Sequence, residues 1–114
     1  MIEPSDCDLV VLTDALQDIV DQADYYIQKS GTQLASRWDA AVEASILSLL
    51  NMPHRGSPAN LHSPGLSDLR RIPVRGFDQL WVFYRADLEE RVVIVVGVLH
   101  MAQDIARILA TPRG

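Results

Sequence analysis

The hydrophobic residues of this chain change period halfway along it, and that switch restricts the folds it can adopt. Up to Leu49 they recur at helical spacing; from Leu66 onward they alternate or run together, as strands do. Leu16, Ile19, Val20, Ala23 and Ile27 stand at i, i+3, i+4, i+7 and i+11, which predicts one amphipathic helix. Thr13 or Asp14 is placed to cap it, and with Asp14 as the cap Gln17 falls at the capping-box position. Ser30-Gly31 ends it, and Thr32 can cap a second helix carrying Ala35, Trp38, Val42, Ile46 and Leu49 as far as Met52-Pro53. So short a link favours an antiparallel helical hairpin. Before it, Leu9–Leu12 reads as a brief strand.

After the hairpin, His54–Gly65 is rich in proline, glycine, serine and asparagine and reads as a long loop. Leu66–Val74 reads as a strand, edge or bulged because of Pro73. Arg75–Asp78 is a turn. Leu80–Arg85 alternates, with Leu80, Val82 and Tyr84 on one side and Trp81, Phe83 and Arg85 on the other. Asp87–Glu90 is a hairpin turn. Arg91–Leu99 is apolar on both faces and should be a central strand, closed by His100. Asp104–Ala110 forms a short helix before Pro112. The expected fold is one α+β domain over 1–114, in the order β-α-α-β-β-β-α: an N-terminal strand and helical hairpin packed on a small antiparallel sheet, then a short C-terminal helix. Two long helices cover only one sheet face, so a partner is expected on the other.

Composition narrows the function. A chain of 114 residues supports one core. Its longest strongly apolar run, Val92–Leu99, is far short of the about 20 residues a membrane helix needs. Residues 1–8 carry Glu3, Asp6 and Asp8 and no basic group, unlike a secretory leader. Cys7, the only cysteine, permits no internal disulfide, fits a cytoplasmic setting and is expected to be an inert residue of a frayed terminus. His54, His62 and His100 form no metal motif, and no phosphate-cradling loop, dinucleotide fingerprint or nucleophile elbow is present; no metal and no cofactor is expected. Asp14, Asp18 and Asp21 read as a solvated helix face.

Residues 1–54 hold nine acidic and two basic groups, a sum of −7; residues 55–114 hold six and eight, a sum of +2. A general nucleic-acid binder shows a basic excess that this chain lacks, so no direct sequence-specific nucleic-acid binding is expected. Anion-binding or partner-binding groups must come from the second half. Its candidates are Arg70 and Arg71, on opposite faces of one strand, Arg75 in a turn, Arg85 beside Trp81 and Phe83, His100 at a strand end, and Arg107 on the last helix. His100 is expected to hydrogen-bond Asp104 and fix the strand-to-helix turn.

Three blocks resemble the ParE branch of the RelE/ParE toxins of type II toxin-antitoxin systems, once described as plasmid stabilisation proteins. They are Leu49-Leu50-Asn51-Met52-Pro53-His54-Arg55-Gly56; Leu69 to Phe77 running into Val82-Phe83-Tyr84-Arg85; and Val98-Leu99-His100-Met101-Ala102-Gln103-Asp104-Ile105. The resemblance implies a cytoplasmic bacterial growth-arrest toxin, hetero-oligomeric with a cognate antitoxin that lays a helix in a groove or a strand along the sheet edge. ParE-like relatives poison DNA gyrase; RelE-like relatives cut mRNA on the ribosome. Nuclease action would draw on Arg70, Arg71, Arg85 and His100, but Trp81 and Gln103 stand where RelE-like members carry arginine. The expected mode is therefore binding of a protein target, through Arg71, Arg75, Trp81, Phe83, Arg85, His100 and Arg107. A non-toxic relative serving as a co-repressor subunit is the remaining alternative.

Overall fold

The computed structural model describes residues 7–111. Its elements are β1 (Asp8–Val11), α1 (Thr13–Ser30), α2 (Thr32–Ser48), β2 (Ser57–Pro58), β3 (Arg70–Val74), β4 (Phe77–Asp87), β5 (Val92–His100) and α3 (Ile105–Ala110). The strands form one sheet in the order β1-β5-β4-β3-β2. The expected hairpin on a sheet is present, and the sheet is mixed: β1 runs parallel to β5, and the other pairs are antiparallel. Among the described residues no helix is long and apolar enough to cross a membrane.

β5 sets this arrangement. Val93, Val95 and Val98 face the hairpin, while Val96 and Leu99 face the other way. The two sets keep their sides because the ladder with β4 slips at Phe83/Tyr84, so that Val96 is an extra residue between the pairs Phe83–Gly97 and Tyr84–Val95. On the hairpin side, Ala15, Trp38, Val42, Ile46 and Leu49 close over Ile72, Val74, Leu80, Val82 and Tyr84. Trp38 is fully buried, and its indole N–H donates to the Ile19 carbonyl at 3.1 Å, tying α2 to α1.

The other face is not left for a partner, as the sequence suggested. The chain's own segment of Ala59, Leu61, Leu66 and Leu69, with Ile105, Ile108 and Leu109 of α3, packs on Trp81, Phe83, Val96 and Leu99. Those residues are spread over a proline-rich loop and a short helix, too irregular for a periodic signal.

Local expectations shift in several places. α1 has no side-chain cap: Leu12 holds the N-cap position, and Gln17 donates to Asp21 rather than closing a box on Asp14. α1 is also rotated from its apolar stripe. Ala15, Ile19, Ala23 and Tyr26 face the core, while Leu16, Val20 and Ile27 are about half exposed. Thr32 is the first helical residue of α2, and Gly31, at φ 86°, is the joint of the hairpin. The strand expected from Leu66 begins only at Arg70, and the long loop contains β2, which pairs with β3. Pro73 lies at a register shift and beyond the two residues of β3 that β2 pairs, so its missing N–H costs no ladder bond on the outer side, as expected of an edge or bulged strand. Cys7 is buried rather than frayed; residues 1–6 of that expectation lie outside the described residues.

The first turn of the loop is held at Gly56. Its N–H donates to the buried Tyr84 hydroxyl at 3.0 Å, and Arg70 donates from Nε and Nη2 to its carbonyl at 3.0 and 2.6 Å. A β-carbon at this position would stand 2.6 Å from the Tyr84 oxygen and 2.7 Å from the Arg71 carbonyl oxygen. The backbone side of that clash cannot swing away. Gly56→Ala should therefore cost about 1–3 kcal/mol, as overpacked sites do, read as a lower urea midpoint at unchanged slope.

Candidate functional site

The alternation of β3 and β4 divides the candidate residues between the two faces of the sheet. Ile72 and Val74 face the hairpin, so Arg70 does too, and Arg71 faces the opposite side with Phe83, its cross-strand partner. Arg85 shares that opposite side with Trp81 and Phe83. His100 follows Val98 on the hairpin side. The four residues that RNA cleavage would need are therefore split two and two across the sheet. They are also largely engaged. Arg70 is tied to the carbonyls of Gly56 and His54. Arg85 makes a two-point contact with the Asp68 carboxylate, at 2.9 and 3.2 Å, and donates to the Gly65 carbonyl at 2.6 Å.

Arg71 lies with its guanidinium 4.4 Å from the centre of the Trp81 ring, a cation–π stack. Its Nε and the indole N–H of Trp81 are buried with no acceptor. Phe83 is buried beneath this pair. Arg75, in the turn between β3 and β4, and Arg107, on α3, are exposed and stand apart from it.

His100 does not bond Asp104. Its Nδ1 accepts the Ala102 N–H at 3.0 Å, its Nε2 lies 3.0 Å from the Gln79 Oε1, and its backbone N–H donates to the Gln103 side chain at 2.7 Å. Asp104 instead caps α3, accepting from the Arg107 N–H at 3.4 Å. The strand-to-helix turn is still fixed by His100, through different partners.

The acidic face of α1 is only partly solvated. Asp18 reaches β5 and accepts the Val98 N–H at 2.9 Å, just past the irregularity at Val96. A residue that read as surface charge is thus the acceptor for a β5 backbone group beyond the end of the pairing with β1. Nothing in the sequence joins positions 80 residues apart.

A second surface was not anticipated. β1 ends the sheet. Asp8 and Leu12 donate to Arg91 and Val95 of the neighbouring strand, so by alternation the N–H groups of Leu9 and Val11 point out along an open edge. Beside it, Leu9, Val11, Leu16, Ile19, Val42, Ile46 and Leu47 line an apolar groove of 320 Å³, rimmed by Asp39 and Glu43. Leu16 and Leu47 are about half exposed along it. The rotation of α1, a fraction of a turn from its apolar stripe, produces this feature: Leu16, which looked like core, lines an outer groove.

Electrostatics on the Arg85 side are simple. The hydrogen bond and charge of Arg85 hold the Asp68 carboxyl below its ordinary 3.8. Its folded pKa lies below the unfolded one, so the small stabilisation is complete above 3.8 and fades as pH falls through the lowered value. Arg85→Gln should return Asp68 to the ordinary range in an NMR titration, with only a slight loss of stability because the pair is solvent-exposed. Asp18→Ala should leave the Val98 N–H without its acceptor and cost about 1–3 kcal/mol, with faster exchange of that amide.

With this geometry in place, the comparisons are consistent with one another. A family model described as "ParE toxin of type II toxin-antitoxin system, parDE" matches residues 9–105. A chain of the chromosomal ParDE toxin-antitoxin system from P. aeruginosa superposes with a TM-score of 0.69 at 12% identity, covering 84% of this chain and 97% of that one. The toxin-antitoxin complex RelBE2 from Mycobacterium tuberculosis gives 0.54 at 23% identity, over 85% and 93% of the two chains. A free mutant of the E. coli toxin RelE gives 0.55 at 17% identity, over 91% and 93%. At these identities the structural likeness is one of fold. No curated protein matches the sequence.

Proposed function

The chain belongs to the ParE toxin family of type II toxin-antitoxin systems, and from that premise we propose that it arrests growth by binding a protein target, DNA gyrase, and is neutralised by a cognate antitoxin. The observation that carries the binding reading over RNA cleavage is the division of Arg70, Arg71, Arg85 and His100 between two sheet faces. Cleavage at a 2′-hydroxyl needs a base, an acid and cations gathered around one phosphate. Here two of the cations are spent on internal carbonyls and a carboxylate. The net charge of −5 also opposes docking on ribosomal RNA.

The open edge of β1 and the apolar groove beside it supply the surface for the antitoxin. An extended segment pairing with Leu9 and Val11 would satisfy their outward groups, and apolar side chains on it would fill the groove against Leu16, Ile46 and Leu47. The rim of Asp39 and Glu43, on a half of the chain that sums to −7, favours a segment carrying basic residues among its apolar ones. Neutralisation then follows from occupancy and from the bulk laid against the toxin. The Arg71–Trp81 stack, and the exposed Arg75 and Arg107, remain the groups offered to the target.

Induced without its antitoxin, the protein should halt growth with DNA breaks traceable to gyrase and with mRNA left intact. Early cleavage of mRNA at ribosomes would replace this reading with an endonuclease, and normal growth in the presence of folded protein would leave only a co-repressor role. His100→Gln should keep growth arrest in full, since its ring serves the turn; loss of arrest in soluble protein would argue for acid-base chemistry.

A further inference from the structure

Between α1 and the end of the β4–β5 pair lies a cleft of 540 Å³ that the function above does not use. Tyr25 and Tyr26 of α1 and Phe77 of β4 form its aromatic walls, with Tyr26 and Phe77 rings 5.5 Å apart. Its polar lining combines the carboxylates of Asp18, Asp21 and Asp78 with the carboxamides of Gln22, Gln79 and Gln103. Its charged lining is wholly acidic, and three of its donors are used internally: the Val98 N–H by Asp18, the His100 backbone N–H by Gln103, and the His100 Nε2 by Gln79. Asp78 has no hydrogen-bond partner among the described residues, and Asp21 receives only the Gln17 amide. No lysine or arginine lines the cleft.

We propose that this cleft binds the guanidinium of an arginine side chain carried by a partner protein, between the aromatic walls and the carboxylates of Asp21 and Asp78. A bare metal ion does not fit, because among the described residues no three ligating groups converge, and the aromatic walls offer a hydrated ion nothing. A guanidinium matches both features: its faces are attracted to ring π-clouds and its edges donate to carboxylates. The aliphatic stem would rest on Leu80. Tyr25 already holds a cation, the Lys29 ammonium, 5.8 Å from its ring centre. The proposal rests on the toxin reading only in taking the partner to be a protein; the binding test does not involve toxicity, so the two can fail separately.

The test is an amide NMR titration of the full chain with Nα-acetyl-arginine methylamide, and with the citrulline equivalent as its neutral isostere. Arginine should give saturable shifts confined to residues 21–26, 77–80 and 98–103, with citrulline at least fivefold weaker. Asp21→Asn with Asp78→Asn should weaken arginine binding at least fivefold, and Tyr25→Leu about threefold, with the dispersed spectrum of the fold retained. Equal binding of citrulline, shifts scattered over surface carboxylates such as Asp39 and Glu89, or unchanged affinity in the carboxamide variant would each overturn the proposal.

Discussion

A strand that is apolar on both faces must be covered from both sides, and the whole architecture is arranged around that requirement of β5. The α1–α2 hairpin supplies one cover and the 59–69 segment with α3 supplies the other. Because β5 also lies between β1 and β4, its backbone is paired along both edges. The irregularity at Val96 lets residues on either side of it keep to their proper faces, and Asp18 accepts the nearby Val98 N–H, beyond the end of the pairing with β1. Core, ladder and helix position are thus coupled at one point in the molecule.

That coupling decides where another polypeptide can dock. With both faces filled from within, free backbone groups and exposed apolar side chains such as Leu16 and Leu47 occur together at the β1 edge. Leu16 and Val20 are exposed because α1 turns Ala15 and Ile19 inward, and small Ala15 lets the helix approach the sheet closely. The proposed partner surface therefore follows from how the helix packs, at an edge instead of on the sheet face where the count of helices suggested it.

Much of the fold was legible in the sequence, for identifiable reasons. The helical hairpin was visible because Trp38, Val42, Ile46 and Leu49 repeat over several turns before Pro53, and β5 because its apolar run is unbroken. The assignment of Trp81, Phe83 and Arg85 to one face followed from strand alternation alone. What was hidden depends on pairs distant along the chain: Asp18 with Val98, Gly56 with Tyr84, His100 with Gln79. The rotation of α1 was hidden too, since Leu16 and Ile19 both satisfy a helical period and only packing chooses between their faces. At the site, the residues named in advance are where strand geometry put them, but their division across the sheet depends on register; the cleft of Tyr25, Phe77 and Asp78 joins elements that no local motif links.

The proposed partner surface is the β1 edge and its groove, with the sheet faces closed by the chain itself. Hydrogen–deuterium exchange of the protein alone and bound to its cognate antitoxin measures this residue by residue. Strong new protection at the amides of Leu9 and Val11 and along the outer face of α1, with residues 59–69 and α3 unchanged, is the result expected. Protection absent from β1, together with release or new shielding of 59–69 and α3, would show that the partner enters from the opposite face and would contradict the account.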